Sequence, residues 1–155
     1  MIKELCESLI ELNAEARDWE EAVKIAGNLL VENDCAESRF VDAMVETVKL
    51  RGAYIVISKG LAIPHARPED GAKKVCISIV QLKKPVEFGH PKNDPVEIVI
   101  ALSSIDSKSH INLMSDLAKV LSDKNNIEKL KKAAKKQEVL DIFNFNKSLK
   151  EVRGY

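Results

Sequence analysis

Two histidines stand where their surroundings suit chemistry. His65 lies within Gly60-Leu61-Ala62-Ile63-Pro64-His65-Ala66-Arg67-Pro68-Glu69-Asp70-Gly71, between two prolines and ahead of an arginine and two acids. Proline fixes its own φ and drives the preceding residue away from helical backbone, so Ile63 and Arg67 should be extended and the loop stiff. A stiff loop holds an imidazole at fixed geometry, which suits a nucleophile or a ligand. It is equally compatible with an ordinary loop and a solvated histidine, because this side chain titrates near neutrality and serves many roles. The second histidine, His110, ends Ser103-Ser104-Ile105-Asp106-Ser107-Lys108-Ser109-His110. With Asp106 or Ser107 as N-cap, His110 falls in or near the first turn of the helix that follows.

Brought together, these groups could handle an anion. A helix N-terminus offers unpaired N–H groups and a partial positive charge. One neutral imidazole can be a nucleophile while a second donates a hydrogen bond to oxygens. Phosphoryl transfer needs mostly positioning and charge stabilisation, so two histidines, backbone amides and a cation would suffice. Arg67 is the local cation, and an ion pair to Glu69 or Asp70 is its alternative role. A zinc site from the two histidines with Glu69, Asp70 or Asp106 is disfavoured, because there is no HExxH and no ligand pair on one helix face. His90 sits in a polar turn without a supporting group nearby and reads as surface structure. Cys6, Cys35 and Cys76 are odd in number and lack CxxC spacing. They read as reduced thiols of a cytoplasmic protein, with a catalytic role for one of them left open.

The elements that must position these residues follow from periodicity. Ser8 to Asn13 predicts a short strand. Asp18-Trp19-Glu20-Glu21 opens a helix, with Asp18 as cap and Glu21 placed as a capping-box acid. Trp19, Ala22, Val23, Ala26, Leu29 and Leu30 then recur at helical spacing to about Val31. A second helix runs from about Ala36 to Leu50, stopped by Gly52. The period changes at Tyr54-Ile55-Val56-Ile57-Ser58, a predicted buried strand leading into the His65 loop. Val75 to Leu82 and Pro95 to Leu102 are nearly continuous apolar runs, as expected of strands covered on both faces. Val86-Glu87-Phe88 could extend the sheet. A helix follows Asp106, and Asn126 to Phe145 predicts two short amphipathic helices. The whole chain, 1–155, reads as one α/β domain, a mixed β-sheet with helices on both faces. Ligands of such sheets bind at the carboxyl ends of strands. If the strands holding Ile57 and Ile100 are parallel neighbours, His65 and His110 reach one rim.

Composition removes several classes. With 24 basic and 24 acidic residues and 5% aromatics, the chain lacks the basic face of a nucleic-acid binder. No apolar run approaches the ~20 residues of a membrane span. The opening Met1-Ile2-Lys3-Glu4-Leu5 is unlike a signal peptide.

Gly60-Leu61-Ala62-Ile63-Pro64-His65, with the later helix-opening Ser109-His110, resembles the enzyme IIA domains of the fructose–mannitol class of the phosphoenolpyruvate:sugar phosphotransferase system. The IPHARPE stretch, with Phe88-Gly89-His90 and Asn93-Asp94-Pro95-Val96, is most similar to the ascorbate-specific branch. The resemblance implies a phosphotransferase in which His65 accepts a phosphoryl group from the phosphocarrier HPr and passes it to a cysteine of the cognate enzyme IIB. The membrane enzyme IIC would be an indirect partner, and His110 would stabilise the phosphoryl group. It implies no metal or organic cofactor and a cytoplasmic location. Relatives carry an arginine near Lys49 and Arg51, but neither residue matches the surrounding pattern, and the role of Arg67 is inferred rather than matched. Leu61 and Ile63 read as docking residues or as core. A regulatory IIA-like module that senses phosphorylation is the competing class, and a homodimer is open.

Overall fold

The computed structural model describes residues 5–143. The sequence-based helical region 126–145 therefore ends, at Phe145, outside the described residues. A 3-10 turn at Glu7–Leu9 leads into β1 (Ile10–Ala14), α1 (Trp19–Glu32) and α2 (Ser38–Arg51). Next come β2 (Val56–Ser58), β3 (Leu61–Ala62), β4 (Cys76–Val86) and β5 (Val96–Ser103). Helices α3 (Ser107–Leu121) and α4 (Lys124–Lys132) follow, and α5 occupies 136–143. The Asp18 carboxylate accepts the Glu21 N–H at 2.9 Å, the N-cap read from sequence. Glu21 does not close a capping box. Its carboxylate instead pairs with the Arg17 guanidinium at 2.8 Å and accepts the Arg17 N–H at 3.3 Å. No helix among the described residues is long and apolar enough to cross a membrane.

The sheet order is β1-β4-β5-β3-β2. β1 runs parallel to β4, β4 antiparallel to β5, β3 parallel to β5, and β2 antiparallel to β3. This is the mixed sheet expected. Side chains alternate across a strand, so Ser78 and Gln81 of β4 lie on opposite faces. Ser78 donates to the Ala26 carbonyl of α1, and the Gln81 amide donates to the Leu130 and Ala133 carbonyls at the end of α4. One residue of each kind thus marks a helix layer on each face. Between the layers, Ile77, Ile79, Ile98 and Ile100 are fully buried, each worth about 1.5–3 kcal/mol relative to exposure. Gly27 lets α1 approach α2, because a Cβ there would lie 2.8 Å from Met44 Cε and 2.9 Å from Val41 Cγ2.

Two expectations need correction. Tyr54 to Ser58 is not one buried strand. Ala53–Ile55 forms a 3-10 turn, and only Val56–Ser58 is extended, at the sheet edge with Ile57 half exposed. A β-branched run reads as a strand from composition, but Gly52 at φ 75° turns the chain and one edge of this segment has no neighbouring strand. The cysteines also differ. Cys35 and Cys76 form a disulfide, Cα–Cα 6.2 Å, between the α1–α2 turn and the start of β4, and Cys6 alone is free. Sequence separation hid the pair. The two segments meet through an Ala36–Ala72 bridge and two N–H bonds, from Lys73 and Lys74, to the Cys35 carbonyl.

Candidate active site

His65 and His110 do share one rim, but not through the strand expected. β3, not the strand of Ile57, lies beside β5 and runs parallel to it, and each strand hands one histidine to the same end of the sheet. The loop is then pinned on both sides of its first proline. The Ile63 N–H donates to the Ile55 carbonyl at 2.8 Å, and the Pro64 carbonyl accepts the Leu102 N–H at 3.2 Å. Past His65, Asp70 accepts the Arg67 N–H at 3.1 Å, and the Gly71 carbonyl accepts the Glu37 N–H at 2.8 Å. The stiffness inferred from prolines is therefore reinforced by main-chain bonds to three elements.

The imidazole rings of His65 and His110 lie 5.4 Å apart, centre to centre, at 49°. His65 Nδ1 is 2.9 Å from the Ile63 carbonyl oxygen. A carbonyl only accepts, so Nδ1 carries the proton, and Nε2 keeps the lone pair when the ring is neutral. Burial lowers the His65 pKa from its ordinary value, and His110 acts in the same direction, while the Ile63 hydrogen bond opposes them. The net effect keeps the ring neutral at physiological pH.

Both histidines line a cleft of about 680 Å³, bounded also by Leu50, Arg51, Tyr54, Arg67, Asp106 and Ile111. Arg67 reaches the cleft, yet its guanidinium lies 3.5 Å from Glu69 and 3.6 Å from Asp70, so the ion-pair role is realised. Lys49 is outside the lining, paired with Glu20 and Glu46. The α3 N-terminus is less open than its sequence implied. The Asp106 carboxylate accepts the Ser109 N–H at 2.7 Å, the Ser109 hydroxyl accepts the Asp106 N–H, and Ser109 bonding holds Asp106 below the usual carboxylate range. One orphan donor is thus already satisfied by an anion from the chain itself.

Leu61 and Ile63 are fully buried, so the core role holds for them. The exposed apolar residues of the cleft are instead Leu50 and Ile111, with Ile105 exposed nearby in sequence. Tyr54, whose ring meets His65 edge-on at 6.2 Å, is hidden in the sequence by β-branched neighbours that read as a buried strand. His90 belongs to a different construction and is not unsupported. Its Nδ1 accepts the Lys92 and Asn93 N–H groups at 3.1 and 3.0 Å, while Asp94 accepts those of Phe88, Gly89 and His90. Nowhere among the described residues do three His, Cys, Asp or Glu side chains converge as a metal-binding group.

This geometry meets its counterpart in known proteins. The family model for the phosphoenolpyruvate-dependent sugar phosphotransferase system, EIIA 2, matches residues 4–146. The chain belongs to this family. As a PTS EIIA component it is a phosphotransferase of the kind that carries a phosphohistidine. It is 44% identical over 134 residues to the ascorbate-specific PTS system EIIA component of Escherichia coli strain K12, covering 86% of this chain and 87% of that protein. Among solved structures it is similar to the mannitol-specific cryptic phosphotransferase enzyme IIA CmtB of Escherichia coli, with TM-score 0.81, 30% identity and coverage of 90% and 94%. It is also similar to the mannitol enzyme IIA in that organism's complex with phosphorylated enzyme IIB, with TM-score 0.80, 29% identity and coverage of 90% and 96%.

Proposed function

We propose that this EIIA component, one domain over residues 1–155, carries phosphate on His65 Nε2 between phospho-HPr and the cysteine of a cognate enzyme IIB, in the cytoplasm and for ascorbate uptake. The observation that carries the reading is the Nδ1–H bond to the Ile63 carbonyl. It fixes one tautomer and leaves one ring nitrogen able to attack. Nε2 forms its bond to phosphorus as the phosphorus–nitrogen bond of phospho-HPr breaks. Later the enzyme IIB thiolate forms a sulfur–phosphorus bond and the Nε2–phosphorus bond breaks. His110, on the facing ring, donates to the phosphoryl oxygens.

The open cleft supports serving two proteins in turn. Leu50 and Ile111, 84% and 65% exposed, offer each of them a small apolar contact beside the reacting nitrogen, suited to a transient encounter. The similarity to an ascorbate-specific transport component, extending over most of both chains, favours transport over the regulatory reading. Incubation with phosphoenolpyruvate, enzyme I and HPr tests the proposal. The wild type should take up acid-labile phosphate and His65→Ala none; a wild type that takes up none refutes it.

A further inference from the structure

The Ile63 carbonyl that sets the His65 tautomer hangs from the slightest part of the sheet. β2 has three residues and β3 two, and they share two pairs, Val56 with Ala62 and Ser58 with Leu61. β2 is an outer strand, so its far edge draws no support from a neighbour. A two-stranded hairpin by itself is marginally stable at best. The hairpin therefore depends on what grips it from outside.

That grip comes from Asn93, in the turn between β4 and β5. Its side-chain amide donates to the Val56 carbonyl at 3.1 Å, and its main-chain carbonyl accepts the Gly60 N–H at 2.9 Å. One residue thus holds β2 at its first position and the hairpin at its tip. Gly60 is held from β5 as well, its carbonyl accepting the Glu97 and Ile98 N–H groups at 2.9 and 3.0 Å. From Val56 the path to the ring is short. Its neighbour Ile55 accepts the Ile63 N–H at 2.8 Å, and the Ile63 carbonyl oxygen lies 2.9 Å from His65 Nδ1. Asn93 is itself fixed by a turn in which Asp94 accepts three N–H groups, so loss of His90 alone leaves the grip standing.

We propose that Asn93 is a positioning residue for phosphoryl acceptance: its side chain holds the β2–β3 hairpin so that Ile63 presents its carbonyl to Nδ1 and Nε2 stays the free nitrogen. This rests on the carrier reading of His65 and adds a residue that acts on the ring from outside the cleft. Asn93 does not line that cleft, so its loss alters the geometry of the reacting atom and leaves the surface met by phospho-HPr in place. A misplacement of about 1 Å slows a reaction by up to about 100-fold.

The test compares wild type, Asn93→Ala, Asn93→Asp and Ser78→Ala. Asn93→Asp keeps the shape of the side chain and removes its N–H donor, and it carries the comparison should Asn93→Ala fail to fold. Ser78→Ala removes a buried hydrogen bond to α1 and controls for lost stability, which thermal denaturation measures in all four. ¹⁵N NMR of labelled imidazoles in unphosphorylated protein, above pH 6.5, reads the His65 tautomer with no partner present. Wild type and Ser78→Ala should show Nδ1–H alone, and both Asn93 variants a mixture with Nε2–H. Acceptance from phospho-HPr should lose about 10-fold in kcat in the Asn93 variants, with KM within about twofold of wild type. Wild-type phosphate absent from His65 overturns the carrier reading, and the role of Asn93 with it. Phosphate on His65, with Asn93 variants that match Ser78→Ala in tautomer and kcat, overturns the role of Asn93 alone. So does a slower reaction with an unchanged tautomer, or a raised KM at unchanged kcat, which would mark a partner contact.

Discussion

The loops around His65 and His90 use the same side chain in opposite senses. Each follows a strand and contains prolines. In the first loop Nδ1 donates to a carbonyl, and the lone pair on Nε2 is left for an incoming atom. In the second Nδ1 accepts two main-chain N–H groups, so the lone pair is spent on holding a turn. The loops also differ in what surrounds the ring. His65 faces another imidazole across a cleft, whereas His90 belongs to a turn closed by the Asp94 carboxylate. What distinguishes the two histidines is the polarity with which the backbone engages Nδ1: a carbonyl accepts from it in His65, and N–H groups donate to it in His90.

That contrast can be broken most directly by deletion. His65→Ala should lose all acid-labile phosphate, whereas His90→Ala should accept it from phospho-HPr within about twofold of wild type, since the bonds removed hold a turn and none of them orients the His65 ring. Residual phosphate in the first protein, or its loss in a folded second one, would erase the distinction. A smaller effect falls on His110→Ala. It should retain some acceptance while onward transfer to enzyme IIB slows about 100-fold, the loss expected for one transition-state donor. Unchanged rates in both steps would remove His110 from the chemistry.

The pH dependence sharpens the contrast further. The folded-state pKa of His65 lies below the ordinary 6.5, so more than half the rings are neutral at that pH. Acceptance measured against pH should therefore hold through 6.5 and decline only below it. The unfolded chain binds more protons than the folded one in that window, so His65 favours folding above pH 6.5, and this contribution is lost as pH falls toward the folded pKa. A midpoint of acceptance above 6.5 would contradict the burial argument. The smallest effects are on stability. His90→Ala should cost about 1 kcal/mol, and Asp94→Ala about 2 kcal/mol because its acceptor is charged. Thermal denaturation should show midpoints lowered by roughly 2–4 °C per kcal/mol for a chain of this size.

The sequence was most informative where one residue and its neighbours suffice. Asp18 and Asp106 announced their helices, because an N-cap is a local arrangement spanning four residues. The apolar runs of β4 and β5 announced the centre of the sheet, and the two prolines announced a stiff loop. Tyr54 was misplaced because its neighbours are β-branched, and nothing local says that this segment lies at an edge without a further partner strand. The route to a common rim failed for a related reason: β3 has only two residues, too few to leave a periodic signature. Cys35–Cys76 and the commitment of Arg67 to its own acids are decided by tertiary contact, and spacing carries no record of the first. His90 looked unsupported because its partner Asp94 acts on main-chain N–H groups, which every residue but proline has.

The atom that orients His65 is a main-chain oxygen of Ile63. Every amino acid supplies that oxygen, so substitution at position 63 alters packing yet cannot delete the acceptor. The choice between the two imidazole nitrogens is thus stored outside the genetic alphabet, in the path of the chain. Side chains around the cleft can change while the nitrogen that keeps its lone pair stays the same.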